Sequence, residues 1–535
     1  MSARTPSRLV LTNGRVYTQD AARPIAEALA SIGNRIVAVG SNDDALAAAG
    51  LGAERIDLRG RAVVPGFVDS HVHFLGFSFD RQRARLDRAT SVAEVQQLVT
   101  AAAEKVGPDA WVLGRGWDRN LWPGAPFPSR HDLDAAAGGR PVCLLSRDVH
   151  AVWANSRALK LAGITAQTPD PPGGKILREP DGAPSGVLLE SAGERVRALS
   201  DRPSPEAAVA AARAAQDALI RVGVTGLCNF EGVEAIRAFQ TLEAAGDLRL
   251  RVSAGVTRRG LTTAAEVGLS TGFGGDRLRI GLLKLFADGA LGSGTAAMLE
   301  PYDDGGPDDR GIPTISLDDL VALIRQARAA GIGVATHAIG DAAVRLVLDA
   351  AEIARADSAP GALEQILRVE HAQLVHPDDV SRFARLDVVA SMQPIHATSD
   401  MHVADRRWGE RCATGYAWRA LLDSGARVAF GTDCPVEPPD PLLGIHAAVT
   451  RQRPGGEPPG GWYPEQRLTV AEAIRAYTVG SAEALGLRQE LGTLAPGFLA
   501  DAVVLSADPH TADPASLAEI AVTMTVFDGM VAHQT

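Results

Sequence analysis

Short apolar runs alternate with longer amphipathic stretches along most of the chain. From about residue 204 the alternation is regular: for example, a helix predicted at 205–222 precedes a strand at 224–230. Strands that alternate with helices predict a parallel sheet, and strands with nearly continuous apolar residues are typical of burial on both faces. The predicted strands are 63–69, 224–230, 250–256, 278–287, 333–337, 366–372, 388–393 and 427–432. Eight such strand–helix units indicate a closed (β/α)8 barrel.

The two ends of the chain show a different pattern, with short strands and turn residues. Asn13-Gly14 predicts a hairpin between strands at 8–12 and 15–18, and Asp528-Gly529 predicts another near the end. We therefore expect residues 1–64 and 487–535 to combine into one β-sandwich domain beside a barrel at 65–486.

The segment at about 75–200 interrupts the barrel pattern after the first strand. It contains a helix predicted near 92–106 and a stretch at 168–186 that is rich in Pro and Gly. A connection of this length is unusual in a compact domain. We interpret it as an insertion that forms a lid or part of a substrate pocket.

The composition of the chain indicates which kinds of molecule the protein can bind and in which compartment we expect it. The 535 residues have an ordinary globular composition, with 46% hydrophobic and 22% charged residues, and a net charge of -11, which argues against a nucleic-acid partner. No stretch is apolar enough for a membrane span, and the first residues lack the apolar segment of a secretory signal. Four scattered cysteines without a Cys-x-x-Cys pair fit a reducing compartment. We expect a cytoplasmic protein that binds a small-molecule substrate, no nucleic acid and no membrane, and a homodimer is left open.

The first barrel strand ends in a pair of histidines, His71 and His73. Side chains at positions i and i+2 of a strand point the same way, so both imidazoles would face one side. Two neighbouring neutral imidazoles suit a divalent metal such as zinc. Taken alone, the pair is equally compatible with a buried strand that simply ends in two polar residues.

Other polar residues stand at the ends of later strands: Lys284, His337, His371 and Asp433. Functional groups of such barrels gather at the carboxyl ends of the strands, so all six side chains could converge. Individually, a histidine could be a hydrogen-bonded core residue and Asp433 could cap a helix. As a set in barrel register, they favour a metal site.

Lys284 is the unusual member because it lies within an apolar strand. A buried ammonium is costly and cannot bind a cation, but burial lowers the pKa of lysine, and a neutral amine can add carbon dioxide to form a carbamate. That anion could bridge two metals. The alternative is an ion pair between Lys284 and a buried acid such as Asp288.

Several motifs are spread along nearly the whole chain. They are Pro-Gly-Phe-Val-Asp-Ser-His71-Val-His73, Asp148-Val-His150 with Asn155-Ser156, Lys284-Leu-Phe-Ala-Asp-Gly, His337-Ala-Ile-Gly-Asp341, Glu370-His371, Met392-Gln-Pro-Ile-His396, Arg407-Trp-Gly-Glu-Arg411, Gly431-Thr-Asp433-Cys-Pro-Val and Leu494-Ala-Pro-Gly-Phe-Leu-Ala-Asp501. Together these motifs resemble the amidohydrolase superfamily, and most closely its family 3 branch of YtcJ-like and N-substituted formamide deformylase-like metal-dependent hydrolases.

The resemblance implies one or two divalent ions, with zinc expected and other metals possible. His71, His73 and Asp433 would hold the more buried ion, His337 and His371 the more exposed one, and Lys284 would bridge them as a carbamate. Cys434 departs from the small residue usual after the aspartate; it could tune or bind a metal, or pack as a small hydrophobe.

This site predicts hydrolysis of a C–N amide-type bond, such as that of an N-acyl or N-formyl amine. A bound metal activates water and polarises a carbonyl, and Asp433 would move the proton to the leaving amine; Asp433 and Lys284 are the predicted catalytic residues. His150 and His396 are candidates for substrate contact, or ordinary loop histidines. Trp117 is a candidate pocket residue, with Trp111, Trp122, Trp153 and Phe127 in the same insertion, although all could be packing. Ester, carbamate or cyclic amide hydrolysis, an isomerase or lyase reaction and a non-catalytic scaffold are the alternatives.

Overall fold

The computed structural model describes residues 6–80, 83–200, 204–356 and 365–535. Residues 1–5, which belong to the start of the chain where the sequence predicts no secretory signal, lie outside the described residues. Eight parallel strands of the described chain form one sheet in chain order: Phe67–Val72, Val224–Asn229, Arg251–Thr257, Leu278–Phe286, Val334–Ala338, Leu367–His371, Val388–Met392 and Val428–Phe430. A parallel bridge between Val72 and Cys434 joins the first strand to the segment after the last one. The protein therefore contains the predicted (β/α)8 barrel.

Helices surround the barrel and bury their apolar faces against it. Helix Pro205–Arg221 begins at Ser204, whose side chain accepts a hydrogen bond from Ala207 N, and it buries alanines and Leu219 on one face. No helix in the described residues is long and apolar enough to cross a membrane. The α-helices of the described chain are Asn42–Ala49, Phe74–Asp80, Val92–Ala103, Arg130–Asp134, Ser156–Leu161, Glu194–Ser200, Pro205–Arg221, Val233–Ala244, Leu261–Glu266, Leu317–Ala329, Asp341–Ala356, Pro377–Arg385, Pro394–Trp408, Trp418–Asp423, Pro441–Thr450, Val470–Arg475 and Ser481–Ala484.

The predicted strand 63–69 is in fact two strands. Ala62–Pro65 belongs to a sheet formed by the chain ends, and Phe67–Val72 is the first barrel strand. Gly66 separates them, and a Cβ atom there would lie 2.2 Å from Thr225 Oγ1, so the crossing requires glycine. The residues on both sides are apolar and buried, and for that reason the hydrophobic pattern did not show the break.

The chain ends form two sheets, as expected for a composite β-sandwich. In the described residues, one sheet has the order Arg35–Gly40, Ala28–Ile32, Arg8–Thr12 and Glu54–Asp57, and the other has the order Met530–Gln534, Val522–Phe527, Ala502–Leu505, Ala62–Pro65, Arg15–Tyr17 and Ile25–Ala26. The second sheet joins strands from both ends of the chain. The exact domain bounds stay a prediction.

The two predicted hairpins have different outcomes. Val522–Phe527 and Met530–Gln534 pair antiparallel across Asp528-Gly529, as expected. The hairpin at Asn13-Gly14 was wrong, because Arg8–Thr12 and Arg15–Tyr17 lie in different sheets. At Gly14 the chain crosses between the sheets, and the Leu58 side chain fills the space of a Cβ atom there.

The insertion folds around a mixed sheet of its own. Its strands in the described chain, in spatial order, are Gly174–Arg178, Pro184–Glu190, Ala151–Ala154, Val142–Ser146, Val112–Trp117 and Ala84–Arg85. Apolar clusters cover both of its faces, and one of them contains the buried rings of Trp117, Trp122 and Trp153. The segment is thus a packed unit and not an extended loop.

A buried ion-pair cluster connects the barrel to the sheet of the chain ends. Arg251, in the third barrel strand, donates to Asp501 at 2.6 and 2.8 Å and to Asp528 at 3.0 Å. Arg251 and Asp501 are both almost fully buried. Arg277 also donates to Asp528, at 2.6 Å, so Arg251 serves Asp501 in particular. Removing Arg251 leaves a buried carboxylate without its cation in a region of low dielectric constant.

We therefore expect Arg251→Ala to destabilise the protein by about 3–5 kcal/mol, because buried Asp501 loses its cation, whereas Asp528 keeps Arg277. Thermal unfolding followed by circular dichroism should show a clearly lower midpoint. Arg213→Ala is the matched control: Arg213 pairs with Asp247 and both are about half exposed, so its loss should cost less than about 1 kcal/mol. Equal midpoints for the two variants would show that the buried cluster does not hold the two units together.

Candidate metal centre

The centre lies where the first and last barrel strands meet. Asp433 N donates to His71 O and His73 N donates to Cys434 O, both at 2.8 Å. The buried Asp69 carboxylate lies beneath this seam and accepts hydrogen bonds from His71 N at 3.1 Å and Thr432 N at 2.9 Å. These bonds fix the backbone from which His71, His73 and Asp433 project.

His71 and His73 both face the Asp433 carboxylate. Their Nε2 atoms lie 3.6 and 3.4 Å from Asp433 Oδ1. His71 is fully buried, whereas about a third of the His73 side chain is exposed. The i, i+2 spacing therefore directs both imidazoles to one side, as the sequence predicted.

Glu370 fixes the tautomer of His71, a role that sequence reasoning missed. Its Oε2 lies 2.7 Å from His71 Nδ1, and Arg368 donates to both of its oxygens at 2.7 and 2.9 Å. Burial opposes ionisation of Glu370, but Arg368 and the bond from His71 lower its pKa to about 2. An ionised carboxylate only accepts, so His71 Nδ1 carries the proton and Nε2 presents a lone pair to Asp433.

Asp433 stands between two groups of histidines. Its Oδ2 lies 3.4 Å from His396 Nε2, on the side opposite the oxygen that faces His71 and His73. Burial acts against its charge, but hydrogen bonds from His396 and His73 help to hold its pKa well below the usual range. Asp433 has φ of 56°, a strained conformation for a residue other than glycine. The alternative that it caps a helix does not hold, since Asp440 caps the helix that follows.

His337 and His371 lie side by side, with ring centroids 4.5 Å apart. His337 Nε2 lies 2.8 Å from Gly289 O, so it donates there and Nδ1 keeps its lone pair. Buried His371 Nδ1 has no hydrogen-bond partner among the described residues. Burial, and then positive charges nearby, hold the pKa of both rings well below the usual range, so both are neutral.

Two sets of ligand atoms are close enough to hold an ion, counting the described residues. One set is His71, His73 and Asp433, and the other is His371, His396 and Asp433, with atoms within 4.8 Å of one another in each. The structure thus brings His396, predicted as a substrate contact, into the second set, whereas predicted ligand His337 lies beside that set. The role of each in metal binding stays a prediction.

Lys284 lies at the base of this cluster. Its Nζ is 3.3 Å from His71 Nε2 and packs over the rings of Phe230 and Phe286, at 4.6 and 5.0 Å from their centroids. Burial lowers its pKa to about 8, although Glu370 and Asp433 partly oppose this. Asp288 is not its partner, because that carboxylate accepts backbone hydrogen bonds from Ala297, Ile339 and Gly340.

The donor set fits a divalent cation. His71 Nε2 and the ionised Asp433 carboxylate face each other at 3.6 Å, and buried His371 Nδ1 has no hydrogen-bond partner among the described residues, so the cluster offers acceptor atoms to a cation. Burial holds the pKa of His71 at about 4, which argues against a proton there. Neutral imidazole nitrogens and a carboxylate oxygen are donors that zinc accepts.

An open cavity lies above the ligands. The barrel contributes one wall, which includes His337, His371, His396 and Asp433, and the insertion contributes another, which includes Arg119, Phe127, Arg147, Asp148 and His150. The insertion therefore forms part of the pocket wall, in agreement with its interpretation from the sequence.

Some of the predicted aromatic residues of the insertion line the cavity, and the others pack in the core of the insertion. Phe127 lines the cavity, and the Arg119 guanidinium carbon lies 3.8 Å from the centroid of the Phe127 ring. Trp117 borders the cavity, but its indole donates to Leu144 O and packs against Trp122 and Trp153 in the insertion core. Cys434, adjacent to Asp433, is fully buried within the main apolar cluster, as the packing alternative expects.

The Glu370–His71 bond generates a test of the centre. In Glu370→Gln the neutral amide cannot serve both Arg368 and His71 as the carboxylate does, so affinity for zinc should fall about 10- to 100-fold. Competition with a chromophoric chelator measures that affinity. Glu352→Gln, which alters a surface glutamate paired with Arg382 and Arg385, is the control and should bind zinc normally. Equal affinities in both variants would contradict the role of Glu370.

The chain is similar to known proteins over most of its length. The model of the amidohydrolase family matches residues 54–533. YtcJ of Bacillus subtilis (strain 168) is 34% identical over 488 residues, 90% of either chain, and the N-substituted formamide deformylase of Arthrobacter pascens is 29% identical over 98% of either chain. The crystal structure of an uncharacterized metal-dependent hydrolase from Pyrococcus horikoshii OT3 superposes with a TM-score of 0.78 at 31% identity, covering 95% of this chain and 99% of that one. The chain belongs to the amidohydrolase family.

Proposed function

We propose that the protein is a metal-dependent hydrolase that cleaves the C–N bond of an N-formyl or N-acyl amine or a similar small amide. One observation carries the proposal: Asp433 joins two sets of metal-type ligands at the floor of a cavity that is lined by the barrel and the insertion. The relative named as an N-substituted formamide deformylase supports the bond class. Zinc is the proposed ion, because the donors are imidazole nitrogens and a carboxylate oxygen.

The roles of the residues follow from their positions. A bound divalent ion supplies an acidified water and a polarised carbonyl. Asp433 borders the cavity and is ionised, so it can accept the proton that water releases and pass it to the nitrogen of the leaving amine. Water thereby adds across the C–N bond, with oxygen on carbon and hydrogen on nitrogen. His396 and His150 line the same cavity and are the proposed contacts of the substrate carbonyl.

Metal removal and a substrate panel test this function together. Dialysis against a chelator should abolish hydrolysis of N-formyl, N-acyl or N-carbamoyl amines, and stoichiometric zinc should restore it. Metal content is measured by mass spectrometry and amine release by a colorimetric assay. Full activity in metal-free protein would contradict the metal, whereas cleavage of the matching esters without cleavage of any amide would contradict the bond class.

Lys284 is proposed as a carbamate that bridges two ions. Two divalent cations bound by four histidines and one aspartate leave a large positive charge, which an ammonium would increase and a carbamate would reduce. The neutral amine adds to the carbon of carbon dioxide and loses a proton, giving an anion with two oxygens. Burial favours this reaction because it lowers the pKa of Lys284 to about 8.

Lys284→Ala should lose most of the activity, at least about 100-fold, and most of the second metal equivalent, because the bridging anion is gone. Bicarbonate or a short carboxylic acid should partly restore both by occupying the vacated space. Lys160→Ala, which changes an exposed lysine of the insertion, is the control. A Lys284→Ala protein with two metals and near-normal turnover would refute the bridge.

A further inference from the structure

A carboxylate–imidazole pair stands on the cavity wall outside both sets of ligands. Glu190 Oε2 lies 2.8 Å from His150 Nδ1. Both residues come from the insertion: His150 lies between strands Val142–Ser146 and Ala151–Ala154, and Glu190 ends strand Pro184–Glu190. Their side chains are mostly buried, at 15% and 9% exposure, although His150 borders the cavity.

The second oxygen of Glu190 contacts the barrel. Thr295 Oγ1 donates to Glu190 Oε1 at 2.5 Å, so each carboxylate oxygen has its own donor. Thr295 belongs to the segment after the fourth barrel strand, and Gly289 in the same segment leaves no room for a side chain, because a Cβ atom there would lie 2.2 Å from Glu190 Oε1. Thr295 of the barrel therefore fixes one oxygen of Glu190, and the other oxygen binds His150.

The backbone on both sides of this pair is strained. Glu190 has φ of 52° and Val149, next to His150, has φ of 66°. Such conformations are unfavourable for residues other than glycine and are common where a side chain must be placed for function. The strain places Glu190 and His150 against each other at the rim of the site.

The pair determines which nitrogen of His150 is free. Because the Glu190 oxygens act as acceptors, Nδ1 of His150 carries its proton toward Glu190, and Nε2 is the nitrogen left for the cavity. The His150 ring lies 5.0 Å from the His337 ring, so this edge adjoins the ligand cluster. A carboxylate that orients an imidazole in this way is a recurring arrangement in hydrolases.

We propose that Glu190 is a positioning residue, which orients His150 so that His150 Nε2 contacts the carbonyl oxygen or the leaving nitrogen of the substrate. The proposal rests on the proposed hydrolase function and gives the insertion a part in the reaction beyond shaping the pocket. Glu190 itself touches no substrate, and it acts only through His150.

A double-mutant cycle tests this, with the panel substrate that the wild type cleaves fastest. Glu190→Gln should lower kcat about 10- to 100-fold with KM changed less than about threefold, because the substrate still binds while the imidazole is misdirected. His150→Ala should cost at least as much. The double variant should be no slower than His150→Ala alone, since Glu190 has nothing left to orient.

Controls separate positioning from folding and from metal binding. Glu179→Gln changes another insertion glutamate, paired with Arg130 outside the cavity, and should leave kcat unchanged. Metal content and melting temperature should match the wild type in all variants. If the fold losses of kcat in the two single variants multiply in the double variant, Glu190 does not act through His150. Losses in KM, metal content or stability would likewise overturn the positioning role and show that Glu190 has a structural role only.

The two proposals fail in different ways. A wild type that cleaves only esters contradicts the amide bond class, and the cycle can still be measured on the ester. Losses of kcat that multiply in the double variant contradict the role of Glu190 and leave the proposed function intact.

Discussion

The site depends on how the barrel closes. Asp69 accepts hydrogen bonds from the backbone of His71 and of Thr432, and so ties the end of the first strand to the segment after the last one. Gly431 permits this contact, because a Cβ atom there would lie 2.7 Å from Asp69 Oδ1 and from His71 N. The ligands of the first set come from these two segments, and the geometry of the candidate metal centre is therefore a consequence of barrel closure.

The electrostatics of the cluster follow from burial and from a few fixed charges. Burial lowers the pKa of His71, His337 and His371 and keeps them neutral, while Arg368 keeps Glu370 ionised behind His71. His396 differs: burial opposes its charge, but hydrogen bonds to Asp433 and Glu437 raise its pKa to about 10. Neutral imidazole nitrogens therefore lie beside an ionised Asp433, and these are donors that a divalent cation accepts. The insertion adds polar groups on the opposite wall, so metal-type ligands and substrate-type contacts come from different parts of the chain.

Much of this could be predicted from the sequence, because buried parallel strands leave apolar runs that end in polar residues at one rim. That pattern located the barrel strands and placed His71, His73 and Asp433 together. It could not show the break at Gly66, because apolar residues continue on both sides of it. It also could not show that the chain crosses between two sheets at Gly14, because Asn13-Gly14 is a common hairpin pair and here forms no hairpin. The roles of Glu370 and Glu190 were missed because the histidines that they orient are distant in sequence, although a carboxylate inside an apolar strand is a signal for Glu370.

The central claim is that barrel closure builds a metal centre from His71, His73 and Asp433. The most direct measurement is a crystal structure of zinc-loaded protein with anomalous diffraction data on both sides of the zinc absorption edge. The account predicts a zinc peak bonded to the two histidine nitrogens and to an Asp433 oxygen at about 2.0–2.2 Å. Zinc bound only elsewhere, with these three side chains arranged around no metal, would contradict it.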